Sequence, residues 1–259
     1  MDKLEIMHLS KAFDQTGVLC DVSFTVKDGE FLSILGPSGC GKTTILRILI
    51  GLEKADEGTI LKDGADITNI PSAKRNMGIV FQNYALFENM TVLRNVEYAL
   101  LKSSATKGKY VKESAQKKAE EMLDLVGLRD QAEKKPRQLS GGQQQRVAIA
   151  RTLALNPDVI LFDEPMSALD VDTRLALRTE IKELQNRFGT TMIYITHDQE
   201  EAFAMSDRVM VMDNGVIHQI DTPQNIIDHP ADDYVQQFVI NNINTKIRSL
   251  AQYAREGSV

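Results

Sequence analysis

The sequence predicts an α/β fold: a mostly parallel sheet with helices, an antiparallel β portion near the N-terminus and an inserted block of helices. Three observations support this prediction. Strand and turn signals occupy residues 3–26. Short apolar strands alternate with helical patterns in residues 30–50 and again from residue 158 onward. Between about 91 and 157 the apolar spacing is helical.

The N-terminal β portion is predicted from two strand-like segments and a hairpin. Residues 3–9 and 18–26 are expected to be strands, and apolar residues alternate with polar ones in the second segment. A short strand at 59–61 precedes Lys62-Asp63-Gly64, a sequence typical of a tight hairpin turn. Residues 77–81 are expected to form a further buried strand that ends at Gln82.

The helical block contains one face with clear apolar spacing. Its residues recur at helical intervals with charges between them: Ala115, Ala119, Met122 and Val126. Gly127 is well placed to end this helix. Residues 103–110 are rich in Ser, Lys and Gly and indicate a loop between two helices.

The α/β alternation resumes after this block. Residues 159–162 are uniformly apolar, as in a parallel strand that is covered on both faces. Another strand is expected at 191–195, and residues 209–218 indicate a hairpin. A helix between the first two of these strands is predicted from a stripe of apolar residues and a glycine that stops it: Leu177, Ile181, Leu184, Phe188 and Gly189.

Composition narrows the range of functions. The 259 residues carry a net charge of −6, so no bulk field attracts nucleic acid, and we expect no nucleic-acid partner. No segment approaches the ~20 apolar residues that cross a bilayer, and Met1–Glu5 lacks the layout of a signal peptide. Cys20 and Cys40 have no metal-like spacing, which fits a reducing cytosol without disulfides.

A glycine-rich segment follows the strand at 30–35 and precedes a helix. Its glycines allow the backbone to wrap tightly and direct several N–H groups at one anion, and the helix adds its positive end. Lys42 can reach the β- and γ-phosphates, and the Thr43 hydroxyl can ligate Mg²⁺. An ordinary strand-to-helix turn is the alternative. The predicted nucleoside-triphosphate contacts are Gly36, Pro37, Ser38, Gly39, Cys40, Gly41, Lys42, Thr43 and Thr44.

Two carboxylates follow the apolar strand at 159–162. Asp163 and Glu164 would lie at the carboxyl end of a parallel strand, where ligands bind in open α/β sheets. Asp163 is expected to hold Mg²⁺, and Glu164 to orient or deprotonate an attacking water. The alternative is an acidic strand-to-loop turn.

Ser140-Gly141-Gly142-Gln143 opens a helix predicted at 141–155. Ser140 and Gln143 have the spacing of a capping box. Two glycines in the first turn cost about 1 kcal/mol each relative to alanine, which is reasonable where an anion must approach the backbone closely. Both roles can coexist, because both use the same helix N-terminus.

Gln82 and His197 each close an apolar strand. Taken singly, either is more often a structural side chain. We expect the two strands to be neighbours in one nucleotide-binding sheet, which makes both side chains candidates for sensing the γ-phosphate and the metal.

These segments together resemble the ATPase subunit of an ATP-binding cassette (ABC) transporter. The resemblance runs in order over residues 3 to about 225. Its motifs are the phosphate loop (Gly36–Thr43), the Q-loop glutamine Gln82, the signature (Leu139–Gln143), the acidic strand (Val159–Glu164), the D-loop (Ser167–Asp170) and the switch histidine His197. It implies a P-loop ATPase core that hydrolyses ATP with Mg²⁺. Lys42, Gln82, Glu164 and His197 would act in catalysis, with Thr43, Gln82 and Asp163 at the metal.

The resemblance also implies how the chain is organised. We expect a nucleotide-binding domain over residues 1–240, with a helical subdomain at about 88–157 and a helical or polar tail at 241–259. Subunits of the family pair head to tail, and each ATP lies between the phosphate loop of one subunit and the signature of the other. Residues of the signature would therefore act on the partner's nucleotide: Ser140, Gly141, Gly142 and Gln143.

Two further nucleotide contacts follow from the resemblance alone. Asp170 belongs to the D-loop. Phe13, in the segment Lys11-Ala12-Phe13, is the candidate for stacking on adenine, and a core position is the equal alternative.

The implied partners are a second copy of the chain and a membrane permease, contacted through a groove beside the Q-loop. An extracytoplasmic substrate-binding protein would act indirectly, and the chain would lie on the cytoplasmic face of the membrane. Three segments resemble polyamine, ferric-iron, sulfate/molybdate and sugar importers: residues 82–87, 143–146 and 196–202.

Some features of the chain depart from that importer group. Glu88 and Met166 replace a usual proline and leucine. From the short tail we expect no extra C-terminal regulatory domain of the kind common in the group, which weakens the interpretation as a sugar importer. An exporter subunit and a soluble cassette protein are the alternatives. The transported substrate is not encoded in this chain, because the binding protein and the permease would select it.

Overall fold

The computed structural model describes residues 1–248 and contains both of the expected sheets. The strands in this part of the chain are, in order, β1 (Asp2–Phe13), β2 (Thr16–Lys27), β3 (Phe31–Leu35), β4 (Glu57–Lys62), β5 (Ala65–Asp66), β6 (Met77–Val80), β7 (Val159–Asp163), β8 (Thr191–Thr196), β9 (Arg208–Asp213) and β10 (Val216–Asp221). Every strand expected from the sequence is present, and several extend beyond the predicted bounds.

The helices follow the predicted alternation. They are α1 (Lys42–Ile50), α2 (Val92–Lys102), α3 (Lys112–Leu125), α4 (Gly141–Leu153), α5 (Val171–Phe188), α6 (Gln199–Met205), α7 (Pro223–Asp228) and α8 (Asp233–Val235), which continues as a π-helical segment (Gln236–Asn241). Short 3₁₀ turns lie at 72–74, 104–106, 129–131 and 136–138. Residues 249–259 of the expected tail lie outside the described part of the chain.

The larger sheet has the order β10-β9-β3-β8-β7-β6. Pairing is parallel from β9 to β6, and β10 adds an antiparallel edge. The carboxyl ends of β3, β8, β7 and β6 therefore meet at one edge, which is where ligands bind in such sheets.

This order corrects one expectation about Gln82 and His197. Gln82 follows β6 and His197 follows β8, but these strands are not neighbours, because β7 lies between them. β7 is buried and pairs on both sides, so it takes the central position. Asp163 and Glu164, at the end of β7, consequently lie between the two.

The smaller antiparallel sheet has the order β2-β1-β4-β5. Its inward residues, such as Leu4 and Ile6, share one apolar core with Ile45 and Leu46 of α1 and with Ile34 of β3. Helix α1 is thus anchored between the two sheets, which holds the preceding loop in place.

A second apolar core joins α2, α3 and α4 to the opposite face of the larger sheet. The predicted stripe of α3 is buried there: Ala115, Ala119, Met122 and Val126. Leu177, Ile181 and Leu184 of α5 are also buried. Phe188 is exposed, contrary to the predicted stripe, because it is the last residue of the helix before Gly189.

Two expectations from composition can be examined directly. Cys20 is exposed, Cys40 is buried, and both thiols are free. No helix within residues 1–248 has both the length and the apolar character that crossing a bilayer requires.

Candidate active site

The phosphate loop connects β3 to α1 at the carboxyl edge of the larger sheet. Gly41 has a φ of +105° and serves as the N-cap of α1, with no side chain capping the helix. A Cβ on Gly36 would lie 2.3 Å from the carbonyl oxygen of Met212. The loop therefore needs glycine at both positions, and the uncapped N–H groups of α1 face an anion-binding position.

Lys42 is folded back over this loop. Its side chain is buried, and Nζ donates hydrogen bonds to the carbonyl oxygens of Gly36 at 2.8 Å and Pro37 at 2.7 Å. The Lys42 ammonium group therefore lies at the phosphate loop. The positive charge and the backbone N–H groups of the loop converge on one position.

Thr43 and Asp163 connect α1 to the end of β7. Thr43 Oγ1 donates to Asp163 Oδ1 at 3.0 Å. Burial raises the pKa of the Asp163 carboxyl; the Thr43 hydrogen bond opposes this effect, and the nearby Glu164 charge adds to it. A half-buried carboxylate beside a hydroxyl is a donor set that suits a hard cation.

Glu164 and His197 meet beyond the ends of β7 and β8. His197 Nδ1 lies 3.1 Å from Glu164 Oε2, although the His197 side chain is 55% exposed. Glu164 has a φ of +44°, uncommon for a residue with a side chain, and its N–H donates to Ile195 O of β8 at 3.1 Å. The backbone turn thus directs the carboxylate to the sheet edge.

A cavity of about 170 Å³ lies between the phosphate loop and Glu164. Larger cavities exist elsewhere, but this one combines loop N–H groups, an ammonium group and a carboxylate. It is lined by Val18, Ser38, Gly39, Gly41, Lys42, Thr43, Thr44 and Glu164. Val18 of β2 belongs to no sequence motif, and only the packing of the two sheets reveals it.

Gln82 is connected to Glu164 through the D-loop. Its Nε2 donates to Ser167 Oγ at 3.0 Å, and Ser167 Oγ donates to the carbonyl oxygen of Glu164 at 3.0 Å. The Arg151 guanidinium donates to the carbonyl oxygens of Tyr84 and Ala85, which holds the segment after Gln82. Ser167 was expected only as a member of the D-loop and Arg151 belonged to no motif, because neither spacing nor residue type indicates these contacts.

The signature forms the N-terminus of α4. Gln143 N–H donates to Ser140 Oγ at 3.3 Å and Ser140 N–H donates to Gln143 Oε1 at 3.0 Å, so the predicted capping box is present. A Cβ on Gly142 would lie 2.5 Å from Thr173 Cγ2, a packing reason for that glycine. Among the described residues that line the phosphate-loop cavity, none comes from the signature.

Asp170 and Phe13 differ in how the structure constrains them. Asp170 is the N-cap of α5, and its carboxylate accepts from Thr173 N at 2.9 Å and Thr173 Oγ1 at 2.8 Å.

Phe13 ends β1 and is 43% exposed, with Lys11 Nζ 5.0 Å from its ring. The core alternative for Phe13 is therefore wrong, because the strand end leaves the ring at the surface.

The chain is similar to named ATP-binding proteins. A family model described as ABC transporter matches residues 19–167. The chain is 51% identical over 219 residues to the Fe(3+) ions import ATP-binding protein FbpC 2 of Rhizobium meliloti, covering 85% of this chain and 54% of that protein. It is 48% identical over 246 residues to the spermidine/putrescine import ATP-binding protein PotA of Nitratidesulfovibrio vulgaris, covering 94% of this chain and 66% of that protein. The chain thus spans about half to two thirds of these relatives.

Solved structures agree with this similarity. One is the dimeric structure of a post-hydrolysis state of the ATP-binding cassette MJ0796 bound to ADP and Pi, with a TM-score of 0.75 and 35% identity over 85% of this chain and 98% of that chain. Another is the dimeric structure of MJ0796, a bacterial ABC transporter cassette, with a TM-score of 0.76 and 35% identity. The predicted α/β P-loop ATPase fold is confirmed, and the chain belongs to the ABC transporter family.

Proposed function

We propose that this protein is the ATP-hydrolysing subunit of an ABC importer, coupling ATP binding, dimer closure and hydrolysis to solute movement through a permease. One observation carries the proposal: the phosphate loop, the carboxylates after β7 and the histidine after β8 meet at one sheet edge. Thr43 Oγ1 is 3.0 Å from Asp163, and Glu164 is 3.1 Å from His197. The names of the relatives support the importer branch.

The phosphate loop and α1 would hold the triphosphate. N–H groups of the loop and the α1 N-terminus would donate to phosphate oxygens, and Lys42 would exchange its two carbonyl contacts for the β- and γ-phosphates. Binding at this position neutralises charge that otherwise resists attack on the γ-phosphate.

The residues near Asp163 fit Mg²⁺. Within residues 1–248 no group of three or more His, Cys, Asp or Glu could hold a metal, so phosphate oxygens would complete the ligand set. We propose Thr43, Asp163 and Gln82 as the protein ligands, because hydroxyl, carboxylate and amide oxygens are the hard donors that Mg²⁺ prefers. When bound, Mg²⁺ would neutralise charge on the β- and γ-phosphates.

Glu164 and His197 would act on the hydrolytic step. Glu164 is proposed to orient and deprotonate the attacking water, since its carboxylate lines the phosphate-loop cavity. His197 is proposed to contact the γ-phosphate and to hold Glu164 in place through the 3.1 Å contact. Gln82 is proposed to respond to the γ-phosphate through its link to the D-loop.

The second half of the site is proposed to come from a partner subunit. The signature is absent from the described lining of the phosphate-loop cavity, yet Ser140 is exposed at the start of α4. In a head-to-tail homodimer, Ser140, Gly141, Gly142 and Gln143 would meet the partner's γ-phosphate, and Asp170 would approach the same interface. Phe13, exposed at the end of β1, is proposed to stack on adenine.

The permease is proposed to dock in a groove near the Q-loop. A cavity of about 560 Å³ lies there between Leu52, Phe81 and the end of α2, with Lys102 of that helix and the following Ser103 in its lining. The helical subdomain at about 88–157 would then be the part of the 1–240 nucleotide-binding domain that meets the permease. The protein would be peripheral at the cytoplasmic face, with a substrate-binding protein on the other side.

Hydrolysis in a Glu164→Gln variant tests the catalytic assignment. We expect the variant to bind ATP with Mg²⁺, to lose turnover by at least about a hundredfold, and to accumulate as a nucleotide-locked dimer. Phosphate release and light scattering after size exclusion measure both effects. Glu183→Gln, the same exchange on an exposed position of α5, is the matched control. Unchanged hydrolysis in Glu164→Gln would contradict the role of Glu164.

The importer assignment has a separate test. The full chain, tagged in its native cell, is expected to co-purify with a permease, and a binding protein associated with that permease is expected to carry the solute. Isolation with an exporter, or with ribosomes, would contradict the assignment without affecting the ATPase.

A further inference from the structure

Arg174, in the first turn of α5, connects two parts of the site. Its Nη2 donates to the carbonyl oxygen of Leu169 in the D-loop at 3.1 Å, and its Nη1 donates to Asp198 Oδ2 at 3.2 Å. Nε lies 3.8 Å from Glu201 Oε1. One guanidinium group therefore contacts the D-loop backbone and two carboxylates that follow His197.

Those carboxylates hold both chain neighbours of His197. Thr196 Oγ1 donates to Glu201 Oε2 at 2.8 Å and accepts from Asp198 N–H at 2.9 Å. Asp198 Oδ1 caps α6 by accepting from Glu200 N–H at 2.8 Å. The residues on either side of His197 are thus both held by hydrogen bonds.

Glu201 is an unusual group in this position. Its side chain is only 6% exposed, and Oε2 also accepts from Tyr194 Oη at 2.9 Å. Burial raises the pKa of the Glu201 carboxyl, and the hydrogen bonds from Thr196 and Tyr194 act in the opposite direction. A buried carboxyl group destabilises the fold unless it is well hydrogen-bonded. The hydrogen bonds around Glu201 therefore indicate that these side chains must be held in fixed orientations, which apolar packing would not achieve.

The network is incomplete at one atom. Arg174 Nε is buried and has no hydrogen-bond partner among residues 1–248, although Glu201 Oε1 is 3.8 Å away. A shift of the guanidinium group by less than 1 Å toward Glu201 would close this contact. A small cavity of about 40 Å³ adjoins the same groups: Glu164, Ser167, Arg174, Thr196, His197, Asp198 and Glu201.

We propose that Arg174 is a positioning residue that ties the D-loop backbone at Leu169 to Asp198 and Glu201, and thereby sets the orientation of His197 toward Glu164. His197 needs such support because its own side chain is 55% exposed. The link to hydrolysis rests on the proposed function; the effect on His197 does not. Movement of the D-loop on dimer closure would then reach the histidine through Arg174.

Nuclear magnetic resonance of the histidine rings tests the proposal in the nucleotide-free full chain. The four histidines are His8, His197, His218 and His229, and a His197→Gln variant assigns the His197 signals. Arg174→Gln is expected to shift the ring ¹⁵N signals of His197 at fixed pH and to leave those of the other three unchanged. Arg174→Lys, which keeps the charge but not the fork of donors, is expected to give a smaller shift.

Arg178→Gln is the matched control. Arg178 lies one turn further along α5, and its one side-chain hydrogen bond within the described part of the chain is to the carbonyl oxygen of Glu200 at 3.5 Å. Its loss is therefore expected to leave the His197 signals in place. The proposal is wrong if Arg174→Gln leaves them unchanged, or if all four histidines move together with a loss of thermal stability, since Arg174 would then only support the fold.

Steady-state hydrolysis adds a readout that a structural role would not move. Arg174→Gln is expected to lower kcat about tenfold with little change in KM for ATP, and to have no further effect in a His197→Ala background. Full additivity of the two losses overturns the proposal. If the His197 signals respond but the wild-type chain hydrolyses no ATP, the positioning role stands and the proposed function fails.

Discussion

Nδ1 of His197 lies 3.1 Å from Oε2 of Glu164, across 33 positions of the chain. The contact follows from strand pairing: β7 and β8 are parallel neighbours with Asp163 opposite Ile195, so the residues just beyond their ends must meet. The left-handed turn at Glu164 then directs its side chain to the same edge.

Mixing two inactive variants tests the head-to-tail site. Ser140→Asp keeps a capping side chain on α4 but places a negative charge where the partner's γ-phosphate would lie, so hydrolysis is expected to fall at least about tenfold with stability retained. Lys42→Ala removes the phosphate contact on the other side. A heterodimer of the two would contain one intact site, with Lys42 from one subunit and Ser140 from the other.

Hydrolysis is therefore expected to reappear when the two variants are mixed, measured as phosphate release against each variant alone. If Ser140 served the nucleotide of its own chain, every site would carry a defect. Mixing would then restore nothing, and that result would sink the head-to-tail arrangement.

Asp163→Asn is expected to stabilise the metal-free protein while abolishing Mg²⁺-dependent hydrolysis. Burial raises the native pKa of Asp163, so the folded state keeps its proton to higher pH than the unfolded state. Stability consequently falls as pH rises from the unfolded pKa, about 3.9, through the native pKa. Asparagine carries no charge, so it removes this loss of stability, and its side-chain oxygen still accepts the hydrogen bond from Thr43.

Urea unfolding with a metal chelator measures this effect. The midpoint of Asp163→Asn is expected to exceed that of the wild type at pH 7.5, and the difference is expected to shrink toward pH 4. Asp172→Asn, an exposed position in the first turn of α5, is the control and is expected to give no such gain. An unchanged urea midpoint for Asp163→Asn at pH 7.5 would contradict the prediction that the half-buried charge of Asp163 destabilises the folded state.

Phe13→Ala is expected to raise KM for ATP about fivefold, because base stacking on an aromatic ring contributes about 1 kcal/mol or more. The melting temperature is expected to stay close to wild type, since the ring is 43% exposed. Phe13→Trp is the control that keeps a stacking face. Equal KM values for Phe13→Ala and wild type would exclude Phe13 from the adenine site.

Alanine at two glycines of the phosphate loop is expected to have unequal effects on stability. Gly39 has a φ of +84°, and no neighbouring atom of residues 1–248 lies within 4 Å of the position that a Cβ would take. Gly39→Ala is therefore expected to add only backbone strain, about 1 kcal/mol. Gly41 has a φ of +105°, and its Cβ would lie 2.7 Å from Leu19 Cδ2 and 2.8 Å from Val18 O. Gly41→Ala is therefore expected to lower the free energy of unfolding by more than Gly39→Ala does. Thermal unfolding of both variants measures the difference.

Much of the fold is predictable from local pattern. Apolar runs predicted the strands, and the stripe of Ala115, Ala119 and Met122 predicted the buried face of α3. The capping box at Ser140 and the stop at Gly189 are also local, because each depends on hydrogen bonds within a few residues. Such signals lie in the spacing of neighbouring residues, which one sequence contains in full.

The order of strands was not predictable in the same way. Gln82 and His197 were expected on adjacent strands, but β7 separates them. Equally apolar strands carry no local mark of which will pair, since the choice depends on how the helices between them pack on the sheet.

The sequence by itself determined the chemistry available to this protein: a glycine-rich loop with Lys42 and Thr43, carboxylates after one strand and a histidine after another. The tertiary structure alone decided which of these groups touch. It brought Thr43 to Asp163, Glu164 to His197, and Arg174 between the D-loop and Asp198. The physical reason is that residue type and spacing act over a few positions, whereas these contacts join distant segments that only sheet pairing and core packing bring within hydrogen-bond distance.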